Sequence, residues 1–318
     1  PILDGKTRSP WYDNECKRAT SAAEIAQELD IDFLGSGFQY FNSGAITELV
    51  TLTATPPMFT GELKFTIDTA TPGEFEEKEN GHFELWMVYK DVPIFDKYVV
   101  TVDISAGTGA SNSALCVYNT RTCEKVAQYV NPFIRPEALA ILAVATCRWL
   151  NDAYLIWESN GVGRQFGAKV MDLHYGNVYY DKNETAKGAK LSKNPGWSST
   201  KEKKLVLLGE YREALESKKL INRSKEALEE CLHYVYADDG GVEHDESKID
   251  DPSGAKANHG DRVIADALAW RGMTERPSRE EEKKKDPPYG SLAWRMRRKE
   301  RDKKNAHREL KWNEGWRP

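Results

Sequence analysis

Nowhere does this chain of 318 residues carry an apolar run near the roughly 18–20 residues that cross a bilayer, so no transmembrane helix is expected. Its start, Pro1-Ile2-Leu3-Asp4, has no Met, no basic segment and no apolar segment. It therefore reads as a truncated or processed product without a secretory leader. Cysteine is sparse: Cys16, Cys116, Cys123, Cys147 and Cys231 form an odd set with no CxxC and no Cys/His zinc spacing, which excludes a disulfide framework and a zinc module. Cys116 and Cys147 sit in apolar runs and read as reduced core thiols of a cytosolic protein. No repeat of 20–50 residues is evident. An excess of positive charge is also missing. The chain has 45 Lys+Arg against 50 Asp+Glu, a net charge of −5, which argues against a uniformly basic nucleic-acid binder.

What is present is core-forming material: 40% hydrophobic residues and nine Trp, enough for roughly two ordinary domains. The charge is unevenly placed. Residues 275–318 hold 15 basic and nine acidic residues, net +6, leaving 30 and 41, net −11, in residues 1–274. An acidic body with a basic tail is the pattern of an interaction tail. Residues 20–33 open like a capped helix, with Ser21 and Glu24 at capping-box spacing, and Gly35-Ser36-Gly37 breaks it. Residues 43–80 have Thr, Pro and Gly throughout and read as irregular or short-stranded connecting structure.

From residue 82 the pattern is that of an α/β layer with a mixed sheet. Strands are expected at 83–89, 97–104, 114–118, 125–130, 153–157 and 177–180. Helices are expected at 135–150, 162–173, 201–218, 224–232 and 259–272, the last amphipathic with Val263, Ile264, Ala267 and Leu268 on one face. Residues 181–200 read as an exposed loop or hairpin and 238–257 as a polar loop. Beyond 275 apolar periodicity is lost, and 291–312 is a marginal basic helix.

Three carboxylates end buried elements. Asp103 closes the strongest strand, ahead of Gly107 and Gly109; its plainer reading is a turn cap. Glu158 ends the run Leu155-Ile156-Trp157 at the carboxyl end of a strand, where open α/β sheets bind ligands; alternatively it faces water. Asp261 opens the last helix, where the helix dipole alone would favour it. Asp266, five residues on, reads more readily as a surface residue. Together, with no Cys or His set competing, they are the hard oxygen donors that Mg²⁺ or Mn²⁺ requires. Two such ions about 3.5–4 Å apart can stabilise both oxygens of a phosphodiester displacement.

At these residues the chain resembles the C-terminal nuclease portion of the large terminase subunit of tailed bacteriophages, the DNA-packaging motor. The matching stretches run from Tyr98 to Gly107 through Asp103, from Trp157 to Gly163 through Glu158, and from His259 to Ala269 through Asp261. Pro195-Gly196-Trp197-Ser198-Ser199-Thr200 also resembles that family, and residues 23–37 resemble the end of its motor domain. The resemblance spans residues 10–272. It implies an RNase H/integrase-like mixed β-sheet flanked by helices. Residues 1–80 would be the remnant of the ATPase domain and linker, 81–274 the nuclease, and 275–318 a charged tail. It further implies a metal triad of Asp103, Glu158 and Asp261 holding two Mg²⁺ or Mn²⁺ ions, and cutting of double-stranded concatemeric DNA when packaging starts and ends. Portal protein and small terminase subunit would be partners, and the host cytoplasm the location. No GxxxxGK[ST] occurs, so ATP would bind only in a motor domain outside this chain.

Asn160, His259 and Asp266 are candidates for supporting the triad; a lone His is more often structural. Arg164, Lys193, Lys201, Lys203 and Lys204 are candidate phosphate contacts, against the plainer reading of a solvated face. Two alternatives stay open: a resolvase- or transposase-like nuclease of the same fold, and a non-catalytic module docking on DNA or portal through its basic tail.

Overall fold

In the computed structural model, residues 9–18, 39–90, 92–185, 188–237, 240–245, 253–256, 260–275, 291–292 and 294–296 are described. The expected helix over 20–33, His259 and most of the basic tail lie outside them. The chain divides into two units, 1–275 and 276–318. In chain order the elements of the first are α1 (Pro10–Arg18), α2 (Ser43–Thr53), β1 (Phe59–Thr66), β2 (Thr71–Glu77), β3 (Phe83–Leu85), β4 (Tyr98–Asp103), β5 (Ser113–Asn119), β6 (Glu124–Asn131), α3 (Pro136–Trp149), β7 (Tyr154–Trp157), α4 (Gly163–Asp172), β8 (Tyr180–Thr185), β9 (Gly188–Pro195), α5 (Lys201–Glu216), α6 (Lys225–Cys231), β10 (Tyr234–Tyr236), β11 (Val242–His244) and α7 (Asp261–Glu275). Of the second unit, residues 292 and 294–296 are helical.

Seven strands form one mixed sheet in the order β2-β1-β3-β6-β5-β4-β7. All neighbours are antiparallel except β4 and β7, which run parallel, as a helical crossover through α3 requires. This is the expected α/β class: a mixed sheet flanked by helices. β8 pairs with β9 in a separate hairpin.

Alternation along β4 sorts its side chains. Val100 and Val102 face one apolar cluster with Leu139, Ala143 and Phe166 of α3 and α4; Val99 faces a second with Leu207, Val263 and Leu268 of α5 and α7. Both faces are covered, so β4 is apolar at consecutive positions. Each fully buried Val or Leu contributes about 1.5–3 kcal/mol.

Two expectations change. Residues 59–77 are not connecting structure. The short strands allowed there are β1 and β2, and they extend the main sheet. The bulge puts its extra residue on β2, between Pro72 and Phe75 opposite Phe65 and Leu63, so β2 lacks the alternation that β1 keeps. Nor is α7 amphipathic: Asp261 through Ala269 are all buried, because α7 lies between the sheet and the α5–α6 layer. Gly272 allows that approach. A Cβ there would lie 2.3 Å from Ile156 Cδ1 and 3.1 Å from Val99 Cγ1, so Gly272→Leu would push α7 off the sheet.

Candidate metal centre

The sheet's own geometry brings the carboxylates together. β4 and β7 are parallel with Val102 opposite Trp157, and the Glu158 N–H donates to the Val102 carbonyl at 3.3 Å. Asp103 and Glu158 therefore follow side by side at the carboxyl ends of adjacent strands, about 4.8 Å apart in the pairing direction. Asp103 keeps the parity of Val99 and Thr101, and Glu158 that of Tyr154 and Ile156, so both project toward α7. The Thr101 hydroxyl donates to the Ala265 carbonyl at 2.8 Å, and Val99 lies beside Gly272. Thus α7 runs back along β4 and begins, at Asp261, where β4 ends.

Asp261 is fixed further by the Asn112 N–H, which donates to its Oδ2 at 3.0 Å. Asn112 precedes β5, whose Ala114 is opposite Asp103. Gly260, at φ +75°, turns the chain into α7. The Tyr234 hydroxyl donates to its carbonyl at 3.0 Å, and a Cβ at Gly260 would lie 2.4 Å from that hydroxyl oxygen.

Burial pushes the Asp103 carboxyl up to about 7, reinforced by Glu158, with Lys204 opposing. The residue as a whole is half-buried while its carboxylate is enclosed. Asp261 is pushed well above the carboxylate range by burial, then by Asp103 and Glu230. Burial also raises Glu158, offset by Lys204 and a hydrogen bond from the Ser199 side chain. The three acids thus form a chain of two neighbouring pairs with Asp103 in the middle. Oxygen donors of this kind fit a hard divalent cation, and the mutual destabilisation of their charges is what such a cation relieves. Among the described residues no group of three His, Cys, Asp or Glu side chains already stands as a metal shell.

The supporting residues divide. Asn160 clamps the Ser199 backbone, its Nδ2 donating to the carbonyl at 2.7 Å and its Oδ1 accepting from the N–H at 3.3 Å. It therefore holds the residue that bonds Glu158. Asp266, expected at the surface, is fully buried and paired with Lys125 at 3.0 Å. The helix phase that would expose it points instead at a lysine of β6. Lys203 is committed to buried Asp181 at 2.5 Å, whereas Lys204 is the cation felt by both Asp103 and Glu158. Arg164 and Asn160 line a cavity of about 480 Å³ beside Ser159 and Ser198. Lys193 and Lys201 are exposed.

Sequence reasoning missed Glu230. It is 3% exposed, pairs with Arg262 at 2.5 Å, and accepts the Arg262 and Val263 N–H groups at 3.1 and 3.3 Å, capping α7. The signal was there: Glu230 lies three positions after Ala227, on the face of α6 that also carries Leu228 and Cys231. No helix among the described residues is long and apolar enough to cross a membrane.

No protein-family profile matches this chain, and no curated protein matches it. Among solved structures it is similar to the large terminase nuclease from thermophilic phage G20c with bound magnesium, at 14% identity and a TM-score of 0.48, covering 71% of this chain and 96% of that one. It is also similar to the large terminase nuclease domain of Thermus phage P74-26, at 13% identity and a TM-score of 0.46, covering 72% and 94%. The G20c nuclease with bound cobalt gives 14%, 0.45, 68% and 98%.

Proposed function

We propose that this chain is a divalent-metal-dependent endonuclease module that cuts double-stranded DNA with little sequence preference. One observation carries the reading: Asp103, Glu158 and Asp261, from three elements far apart in sequence, stand at the same end of the sheet, and burial raises all three. Such a cluster is costly to keep unless a cation uses it. The three sequence stretches that resemble phage terminase nucleases contain these same residues.

In this reading Asp103, Glu158 and Asp261 hold Mg²⁺ or Mn²⁺, two ions when the site is complete. The chemistry such ions supply is Lewis-acid stabilisation of the attacking and leaving oxygens in phosphodiester hydrolysis. The chain's own groups do the rest. Asn160 and Ser199 fix Glu158, Tyr234 and Asn112 fix Asp261, and Lys204 lends its positive charge to Asp103 and Glu158. Arg164, Lys193 and Lys201 meet the phosphate backbone, each adding salt-sensitive affinity. The wider assignment extends the same proposal: the DNA is a concatemer cut as packaging starts and ends. Portal and small terminase subunit are partners, ATP is used by a motor domain elsewhere, residues 275–318 serve docking, and the site of action is the cytoplasm of the infected cell.

The test is cleavage of supercoiled plasmid in Mn²⁺, with EDTA as the blank. Asp103→Ala should lower the rate by about 100-fold or more, the scale of losing one preorganised electrostatic group, with an unchanged circular dichroism spectrum. Undiminished cleavage by that variant sinks the assignment.

A further inference from the structure

An exposed aromatic side chain is ordinary by itself; Phe133 differs in where it stands and how it is held. Asn131, the last residue of β6, is opposite Ser113, and Ala114 of β5 is opposite Asp103. The end of β6 therefore lies at the same end of the sheet as the three carboxylates, two strands from Asp103. Phe133 follows Asn131 by two residues and is 63% exposed. It is nonetheless fixed. Its N–H donates to Asn131 Oδ1 at 2.8 Å, and the Gly109 N–H donates to the Pro132 carbonyl at 2.9 Å. One edge of its ring rests on Gly109, where a Cβ would lie 2.6 Å from Phe133 Cε1, and Gly107 meets the Ile134 carbonyl as closely. Both glycines have positive φ. They belong to the loop that leads from Asp103 to Asn112, the residue whose N–H holds Asp261. Among the described residues the two most exposed large hydrophobic side chains, Phe95 and Ile94, precede β4 and so sit at the opposite end of the sheet.

We infer that Phe133 is an apolar wedge that enters a base step of the DNA substrate close to the scissile phosphate. The inference rests on the nuclease reading and adds a contact to bases that the carboxylates and lysines do not make. β6 lies two strand spacings, about 10 Å, from β4, and Phe133 follows the end of β6, which puts it within a few base steps of about 3.4 Å from Asp103. An aromatic ring held rigid by its turn and bare on its outer face is suited to this use. Wedging unstacks one step and kinks the duplex, and it is easiest where stacking is already broken.

The experiment is cleavage mapping in Mn²⁺ on a short end-labelled duplex carrying one abasic site, with binding followed by anisotropy in Ca²⁺. Wild-type protein should cut in a cluster at a fixed offset of a few base pairs from the lesion. Phe133→Ala should flatten that cluster and weaken binding about tenfold, the scale of one lost base–aromatic contact. Phe133→Leu, which keeps an apolar wedge, should retain most of both, and Phe95→Ala should change neither; melting curves report that each variant is folded. A Phe133→Ala cutting pattern and affinity equal to wild type overturn the inference while leaving the nuclease reading intact. Wild-type protein that cuts no duplex in any divalent metal removes both.

Discussion

Two acidic residues on one helix, Asp261 and Asp266, are both buried, and they live in opposite surroundings. Asp266 faces Lys125 at 3.0 Å and accepts from Asn222 Nδ2 at 2.7 Å. Lys125 reaches Gln128 at 2.7 Å, and Gln128 reaches Glu84 at 2.7 Å. Burial pulls Lys125 down, but Asp266, with Cys116, more than offsets it and holds the ammonium above its ordinary value. Around Asp261 the nearest strong influences after burial are more acids, Asp103 and Glu230, and Glu230 already belongs to Arg262. The difference teaches how scaffold and site can be told apart within one fold. A buried charge that is matched inside the chain fixes α7 on the sheet. A buried acid whose strongest neighbours are other acids is what the proposed metal site would use.

That contrast can be broken by experiment. The largest effect expected is Asp266→Ala, which strands Lys125 in the core and should cost about 3–5 kcal/mol in urea denaturation. A loss below about 1 kcal/mol would mean that water or rearrangement satisfies the lysine. Next is Asp261→Asn, on the same helix and isosteric with the residue it replaces. It should lower Mn²⁺-dependent cleavage by about 100-fold while leaving the metal-free melting temperature equal or higher, because one of the repelling charges is gone. A melting temperature that drops as it does for Asp266→Ala would show that the two acids are alike after all.

A third, smaller effect concerns pH. In the folded chain Asp103 titrates at about 7, above its ordinary value of 3.8. The folded state thus keeps a proton that the unfolded chain releases. Metal-free stability should be highest below the unfolded value and fall as pH rises through this window, by up to about 1.4 kcal/mol per pH unit. Asp103→Asn should flatten that slope, and saturating Mn²⁺ should remove it. A flat wild-type profile without metal would show the acids already compensated. The smallest effect is Asn160→Ala. Losing its bonds to Ser199 should cost about 1 kcal/mol and slow cleavage modestly without changing metal-free pH dependence. A loss as deep as that of Asp103→Ala would make Asn160 a direct contact.

How much of this could be read from sequence follows the same division. Asp103 and Glu158 were legible because each ends a run too apolar to tolerate a carboxylate without purpose, and Asp261 because it opens the last strong helix. Their convergence was not, since it depends on β4 and β7 being parallel neighbours. Asp266 was misjudged because its partner Lys125 lies on β6, far away in the chain, and no local pattern announces such a pairing. Lys203 looked like a phosphate contact for the same reason: Asp181, its partner, belongs to the preceding hairpin. β2 was hidden by its bulge, and Glu230 was not singled out because its partner Arg262 lies on a different helix.

The parallel pairing of β4 with β7 has a consequence for when the proposed site is assembled. A parallel neighbour cannot form by a local hairpin; it waits for β5, β6 and α3 to be laid down first. The third acid comes with α7, the final helix of its unit, which must dock across the finished sheet. Pairings so distant in sequence form late and cooperatively. A chain still emerging from the ribosome therefore carries Asp103 and Glu158 without Asp261, and gains its full set of carboxylates only as the last element seats.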